Sequence, residues 1–239
     1  MLASSHFEMR FGWWLTKMIP HFLQNLEGVA GTLKERCGIA DMHSRSHIYA
    51  LELPEFMKGI IFNLLEEVVV SNYGEDTWDQ LLTATALDGA YTSLGSYPDE
   101  QIQELVGAAS QMLGLTSFEV LRWFGRQAIP LLFDRYPGFF SSQPSTRPFV
   151  LSVNNIIHPE VRKIYPGADV PTFEFRDEID GGLLMGYLSP RRLCALAQGF
   201  IEGAATHYGE TVIFEHRECM HQGDKKCLCH ITFSPGLSP

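Results

Sequence analysis

The hydrophobic period of this chain changes at Pro166-Gly167, and that change limits what it can fold into. Upstream, apolar residues recur at helical spacing. Ile60, Ile61, Leu64, Leu65 and Val68 make one face, with Glu66 and Glu67 on the other. Trp78, Leu81 and Leu82 predict a second short helix. Ser96-Tyr97-Pro98-Asp99 reads as a helix start and leads into the stripe Ile102, Leu105, Val106, Ala109, Met112 and Leu113, which Gly114 ends. Thr116-Ser117-Phe118-Glu119 has the form of a capping box, opening an apolar helix over 118–133 with Pro130 near its end. Residues 137–148, rich in Pro, Ser and Gly, read as a loop, and Phe149 opens a helix toward Tyr165. Downstream the period is two. Phe173 and Phe175 alternate with polar residues, 177–182 turns and 183–187 extends, which predicts a hairpin. A helix over 190–208 follows. Two strands, 211–216 and 226–233, close the pattern around Gln222-Gly223-Asp224. The expected class is α+β: a helical N-terminal subdomain packed against a small, mainly antiparallel sheet with flanking helices.

Composition removes several function classes. The formal net charge is −10 and no basic stripe is present, which argues against nucleic-acid binding. The apolar runs are far shorter than a membrane span. Residues 1–30 lack the pattern of a signal peptide, so the expected location is the cytoplasm. Residues 1–56 show little sustained periodicity and are expected to form a poorly ordered N-terminal extension to a domain over 57–235. No Ser-His-Asp pattern, Gly-rich phosphate loop or paired carboxylates ask for an enzyme.

Two places carry chemistry. In Tyr187-Leu188-Ser189-Pro190-Arg191, Ser189 stands where an N-cap belongs and Pro190 where the first helical residue belongs. Tyr187 and Ser189 leave an extended chain on the same side, and Arg191 follows. A phenol, a hydroxyl and a guanidinium beside helix N–H groups suit a carboxylate, although from these five residues alone a capped helix with a surface Arg is the better-supported reading. The second place is His158, on a helix otherwise apolar around it. Such a His is usually a satisfied core or surface residue; it is also the pattern of a lone axial ligand to haem iron. Together, the clamp and the lone His are what a haem with two propionates requires.

With these residues, the sequence from Met57-Lys58-Gly59-Ile60-Ile61-Phe62 to about Phe233 resembles the haem-nitric oxide/oxygen binding (H-NOX) family, which is related to the haem domain of soluble guanylate cyclase. Tyr187, Ser189 and Arg191 match its Tyr-x-Ser-x-Arg propionate motif. His158 falls on its proximal ligand, and Pro171 on the proline that presses on the porphyrin. The resemblance implies haem b between the helical part and the sheet part. Pro159 departs from the family pattern; the helix is expected to kink there or to start a new segment. Oxygen-holding relatives place a Tyr where this chain has Leu196. A pocket of Leu196, Phe200, Ile61 and Leu65 offers no donor to bound oxygen, so NO and CO binding without O2 is expected. The implied function is a nitric oxide sensor that signals through the iron–His bond to a separate histidine kinase or cyclic-di-GMP-metabolising enzyme. A separate partner is expected because no output domain follows residue 233.

The cysteines form a further constellation. Four of five lie after residue 190. Cys194, His216, Cys219 and Cys227 suit tetrahedral zinc, with His221 and Cys229 as nearby competitors and free thiols as the plain alternative. The resemblance also implies a zinc site at these residues. Two other functions stay open at this point: a cysteine/zinc redox sensor on the same fold, and a non-haem module that binds some other carboxylate.

Overall fold

In the computed structural model, residues 56–236 are described, so the expected extension lies, except for Phe56, outside the described residues. The first part is helical. β1 (Phe56–Lys58) runs into α1 (Gly59–Tyr73), followed by α2 (Glu75–Thr85), β2 (Ser96–Pro98), α3 (Asp99–Leu113) and α4 (Ser117–Arg135). Next come α5 (Pro137–Ser141), α6 (Thr146–Ser152), a π-turn (Val153–Ile157) and α7 (His158–Ile164). The remainder is β3 (Thr172–Asp177), β4 (Leu183–Leu188), α8 (Cys194–His207), β5 (Glu210–Glu218), a 3-10 turn (Met220–Gln222) and β6 (Cys227–Pro235). The sheet is antiparallel, in the order β3-β4-β6-β5. Helices first and sheet last is the α+β plan expected from the change of period.

Local rules set several boundaries. Gly114 ends α3 in the left-handed region, at φ 65°. The capping box forms: Thr116 Oγ1 accepts from the Glu119 N–H at 3.2 Å, and Glu119 Oε2 accepts from the Thr116 N–H at 2.8 Å. Two expectations are corrected and one is extended. The helix start at Ser96-Tyr97-Pro98-Asp99 holds, with Pro98 before α3 and Asp99 its first residue, but Ser96–Pro98 is also a strand paired with β1, Met57 opposite Tyr97. The stretch 137–148 is not loop throughout. Pro137 starts α5 with its fixed φ, and Phe140, 2% exposed, holds that helix in the core. The helix expected from 190 starts at Cys194, because Arg192 sits at φ 54° and its N–H closes a turn on the Ser189 carbonyl at 3.1 Å.

The helix from Phe149 is real but divided. Pro159 has no N–H to return to the carbonyl four residues back. The chain meets this by widening: the His158 N–H reaches the Val153 carbonyl, five residues back, and Pro159 then opens α7 near its first position. A new segment therefore starts here, the second of the two courses expected.

The larger apolar residues gather in two main cores. Phe62 and Phe124, both fully buried, anchor the core of α1–α4. Ile129, Phe149, Leu183, Met185, Ile201 and Ile231 fill the other, between the sheet and helices α4, α6 and α8. α4 and α8 join them. Their backbones approach closely over Gly125, Gly199 and Gly203, and Arg122 Nε donates to both Glu202 oxygens at 2.9 and 2.8 Å.

Candidate functional site

A cavity of about 320 Å³ opens between α1, α4, the π-turn with α7, the sheet and α8. Its wall is mostly apolar, and its volume is in the range of sites for small organic ligands. His158, Pro171, Tyr187, Ser189 and Arg191 all line it, as do Ile61, Leu196 and Phe200. Residues far apart in sequence thus meet at one cavity. Leu65 does not line it. It is 4% exposed in the α1–α4 core, and Leu64, one helical position earlier, faces the cavity instead.

His158 is the imidazole on the α7 side. Burial, with help from the Arg162 cation, pushes its pKa down to about 4, so the ring is neutral at ordinary pH. A neutral imidazole keeps a lone pair for a metal. Its ring lies 5.8 Å from Phe173 between centroids, and Phe173 meets Tyr187 edge-on at 5.6 Å. Asn154 Nδ2 donates to the Phe173 carbonyl at 2.7 Å, so the π-turn is tied to β3 beside the His.

The clamp differs in detail from the sequence expectation. Tyr187 stands one residue before the end of β4, its hydroxyl accepting from the Leu193 N–H at 3.0 Å, just before α8. Burial raises that phenol to about 12, so it stays protonated. Ser189 Oγ accepts from the Arg191 N–H at 3.3 Å, within the turn and not as the cap of α8. Arg191 is outside the helix, with a side chain 7% exposed. Nε faces Asp99 Oδ2 at 2.6 Å. Nη1 donates to the Asp169 carbonyl and to Asp169 Oδ2, each at 3.0 Å, and Nη2 donates to the Phe56 carbonyl at 2.9 Å. The guanidinium thus ties α3 and β1 to the β4–α8 junction. It already binds carboxylates, the chemistry that the motif suggested. The Asp99 contact had no sequence signal beyond the helix start at Pro98-Asp99.

Tyr136 and Tyr165 also line the cavity, their hydroxyls 2.5 Å apart. Leu196 and Phe200, which line the cavity from α8, carry no hydroxyl.

Behind the clamp, Cys194, Cys219 and Cys227 bring three thiols within 4.8 Å of one another. The Cys219 and Cys227 sulfurs are 3.8 Å apart, and the Met220 N–H donates to Cys227 Sγ at 3.3 Å. Burial raises the Cys194 and Cys227 thiols. His216, expected as the fourth ligand, is not in this group. Its Nε2 is 2.8 Å from Gln198 Oε1 and its Nδ1 is 3.4 Å from Cys229 Sγ, its cross-strand partner. The ring is held by α8 and β6, which is why it stands away from the thiols. His221 lies on the Arg192 carbonyl at 2.7 Å.

Comparison with known proteins agrees with this geometry. A family model described as Haem-NO-binding matches residues 58–216. An H-NOX protein from Shewanella oneidensis in its Fe(II)NO ligation state is similar at 32% identity and TM-score 0.70, covering 74% of this chain and 99% of that one. The Fe(II) unliganded H-NOX protein from K. algicida is similar at 26% identity and TM-score 0.68, covering 77% of this chain and all of that one (100%). A curated relative, soluble guanylate cyclase gcy-32 of Caenorhabditis elegans, is 25% identical over 143 residues, 56% of this chain. The match spans 20% of that cyclase's length. With well over half of the sequence inside the family model and the fold shared with H-NOX structures, the chain belongs to the haem-NO-binding (H-NOX) family of haem-binding gas-sensor domains.

Proposed function

We propose that this chain is a nitric oxide sensor built on haem b, with His158 as the protein ligand to the iron. The observation that carries the reading is a single apolar cavity, with a neutral imidazole and a carboxylate-binding turn on its wall. Haem, when bound, supplies a ferrous iron that takes NO or CO. The residues present fit such a group. His158 offers a lone pair from the α7 side. Tyr187, Ser189 and Arg191 are polar groups suited to its propionates, and Asp169, 65% exposed, is the carboxylate most readily exchanged for one of them. Pro171 would press on the porphyrin face.

Leu196 and Phe200 set the gas preference. Bound oxygen gains from a hydrogen-bond donor, and the Leu196 position has none. Of the three phenols at the cavity, Tyr136 and Tyr165 hydrogen-bond to each other, and Tyr187 lies in the clamp with its oxygen on the Leu193 N–H. NO and CO without O2 is therefore the expected ligand set. The S. oneidensis relative is described with NO and with CO. The signal begins at His158. Its release would free the α6–π–α7 stretch, whose π-turn and Pro159 already depart from ideal helix. The proposed receiver is a separate histidine kinase or cyclic-di-GMP-metabolising enzyme in the cytoplasm. The thiols of Cys194, Cys219 and Cys227 are proposed to hold zinc, with His216 as fourth ligand once its ring leaves Gln198 and Cys229. Among the described residues no helix is long and apolar enough to cross a membrane.

Optical spectra of the haem-reconstituted ferrous protein test the gas preference. A shifted Soret band is expected under NO and under CO, with no stable oxy spectrum in air. A stable oxy complex would defeat the assignment of Leu196. Replacing His158 with glycine should weaken haem retention at least tenfold, and free imidazole should restore it. Unchanged retention would remove His158 from the role of ligand.

A further inference from the structure

The molecule carries its negative charge on one part only. Between Lys58 and Arg122 the sequence has ten Asp and Glu residues and no Lys, Arg or His. The whole chain has a formal net charge of −10, so the stretch from α1 to the first turn of α4 accounts for all of the excess. The sheet part neutralises itself: Lys163, Arg147, Arg176, Arg217 and Lys226 each pair with an acid. In the helical part, Glu67 pairs with Arg135 and Asp99 with Arg191. Among the described residues, Glu66, Glu75 and Asp79 form no ion pair, and no basic side chain of their own helices exists to provide one.

These three carboxylates line one groove. It lies between α1 and α2, has a volume of about 580 Å³, and includes Val70, Trp78 and Tyr91 in its lining. Glu66 is already forced toward its neutral form, by burial and then by the neighbouring Glu67 charge. An added cation would offset the Glu67 repulsion and favour the charged form of Glu66. The groove is distinct from the haem cavity: no residue lines both.

We propose that the α1–α2 groove docks a basic face of a partner protein, in which lysine or arginine side chains flank apolar residues. The complementarity is twofold. Cationic heads meet Glu66, Glu75 and Asp79, while aliphatic stems and apolar neighbours cover Val70, Trp78 and Tyr91. Nucleic acid and anionic membrane have the wrong sign for this surface. The proposal deepens the reading that the signal leaves through a partner. It requires no gas response, so its test stands apart from that reading.

A labelled amphipathic helical peptide of lysine and leucine serves as the probe, titrated into the full haem-reconstituted chain. Its counterpart with glutamate in place of lysine is the control. The lysine peptide should bind and should weaken as salt rises; the glutamate peptide should not bind. The triple change Glu66→Gln, Glu75→Gln and Asp79→Asn keeps side-chain size and should weaken binding at least tenfold. The charge-matched triple change Glu174→Gln, Glu215→Gln and Glu218→Gln, at exposed positions of the sheet part, should leave binding within twofold. Zero-length carbodiimide cross-links should map to α1 and α2. Equal loss from both variants would show only a response to net charge and overturn the proposal, as would cross-links on the sheet part. Displacement of the peptide by calcium at constant ionic strength would mark a metal site instead and equally overturn it. Circular dichroism confirms that the variants fold, and unchanged NO spectra would show that the haem reading survives whichever way binding falls.

Discussion

Replacing Asp99 with alanine is expected to cost about 3 kcal/mol of folding stability, at the lower end of what breaking a buried ion pair removes. The pair is buried on both sides: Arg191 Nε and Asp99 Oδ2 are 2.6 Å apart, and each side chain is 7% exposed. Alanine leaves the guanidinium in place without its nearest counter-charge. Asp169 remains at 3.0 Å but is 65% exposed, so it compensates only in part. The fold also loses a tie, because Asp99 opens α3 while Arg191 sits between β4 and α8. Urea unfolding of the haem-free chain measures the cost. A double-mutant cycle identifies its origin. Asp99→Leu with Arg191→Met replaces the pair by apolar groups and should be much less harmful than Asp99→Ala alone, since burying two charges was itself expensive. If Asp99→Ala loses less than about 1 kcal/mol, the contact behaves as a surface pair and the tie is not structural.

That ion pair also shows where sequence reading stops. The carboxylate-binding chemistry of Arg191 was legible from residue type, whereas Tyr187 and Ser189 accept from backbone N–H groups here. The partner was not: Asp99 lies 92 positions before Arg191, and nothing local links them. β2 was hidden for the same reason. Three residues, Ser96–Pro98, become a strand only by pairing with β1, and in isolation they read as a helix start. The capping box at Thr116–Glu119 and the stop at Gly114 were legible because their physics is complete within a few residues. The start of α8 failed because a positive φ at Arg192 has no sequence signal in a residue that rarely adopts it. Leu64 and Leu65 illustrate a finer limit. Adjacent positions on one helical face serve two sides of a wall, and only the packing around α1 decides which meets the cavity. His216 meets a competitor that spacing cannot reveal, since Gln198 reaches its ring from another element.

Gly199→Ala is expected to do still more damage than the loss of Asp99, and through three atoms. A Cβ at Gly199 would stand 2.2 Å from the Arg122 carbonyl oxygen, 2.9 Å from its carbon and 3.0 Å from the Gly125 Cα. Those are backbone atoms of α4, so no rotamer change relieves the clash. α8 must move off α4, and with it the Arg122–Glu202 contacts, in which Glu202 is 9% exposed. Overpacking of this kind costs about 3 kcal/mol or more. The cavity should change as well, because Leu196 and Phe200 lie on the same helix, within one turn of Gly199, and line its wall. Gly107→Ala supplies the opposite sign. It also lies inside a helix, α3, but a Cβ there meets nothing within 4 Å. With no contact to pay against, it should gain about 1 kcal/mol from helix propensity alone. Thermal unfolding of the two variants side by side separates the explanations. A strong loss at 199 with a small gain at 107 means that close α4–α8 approach sets the stability of the cavity wall. Similar losses at both sites would mean that glycine is needed for chain flexibility, and the packing account would fall.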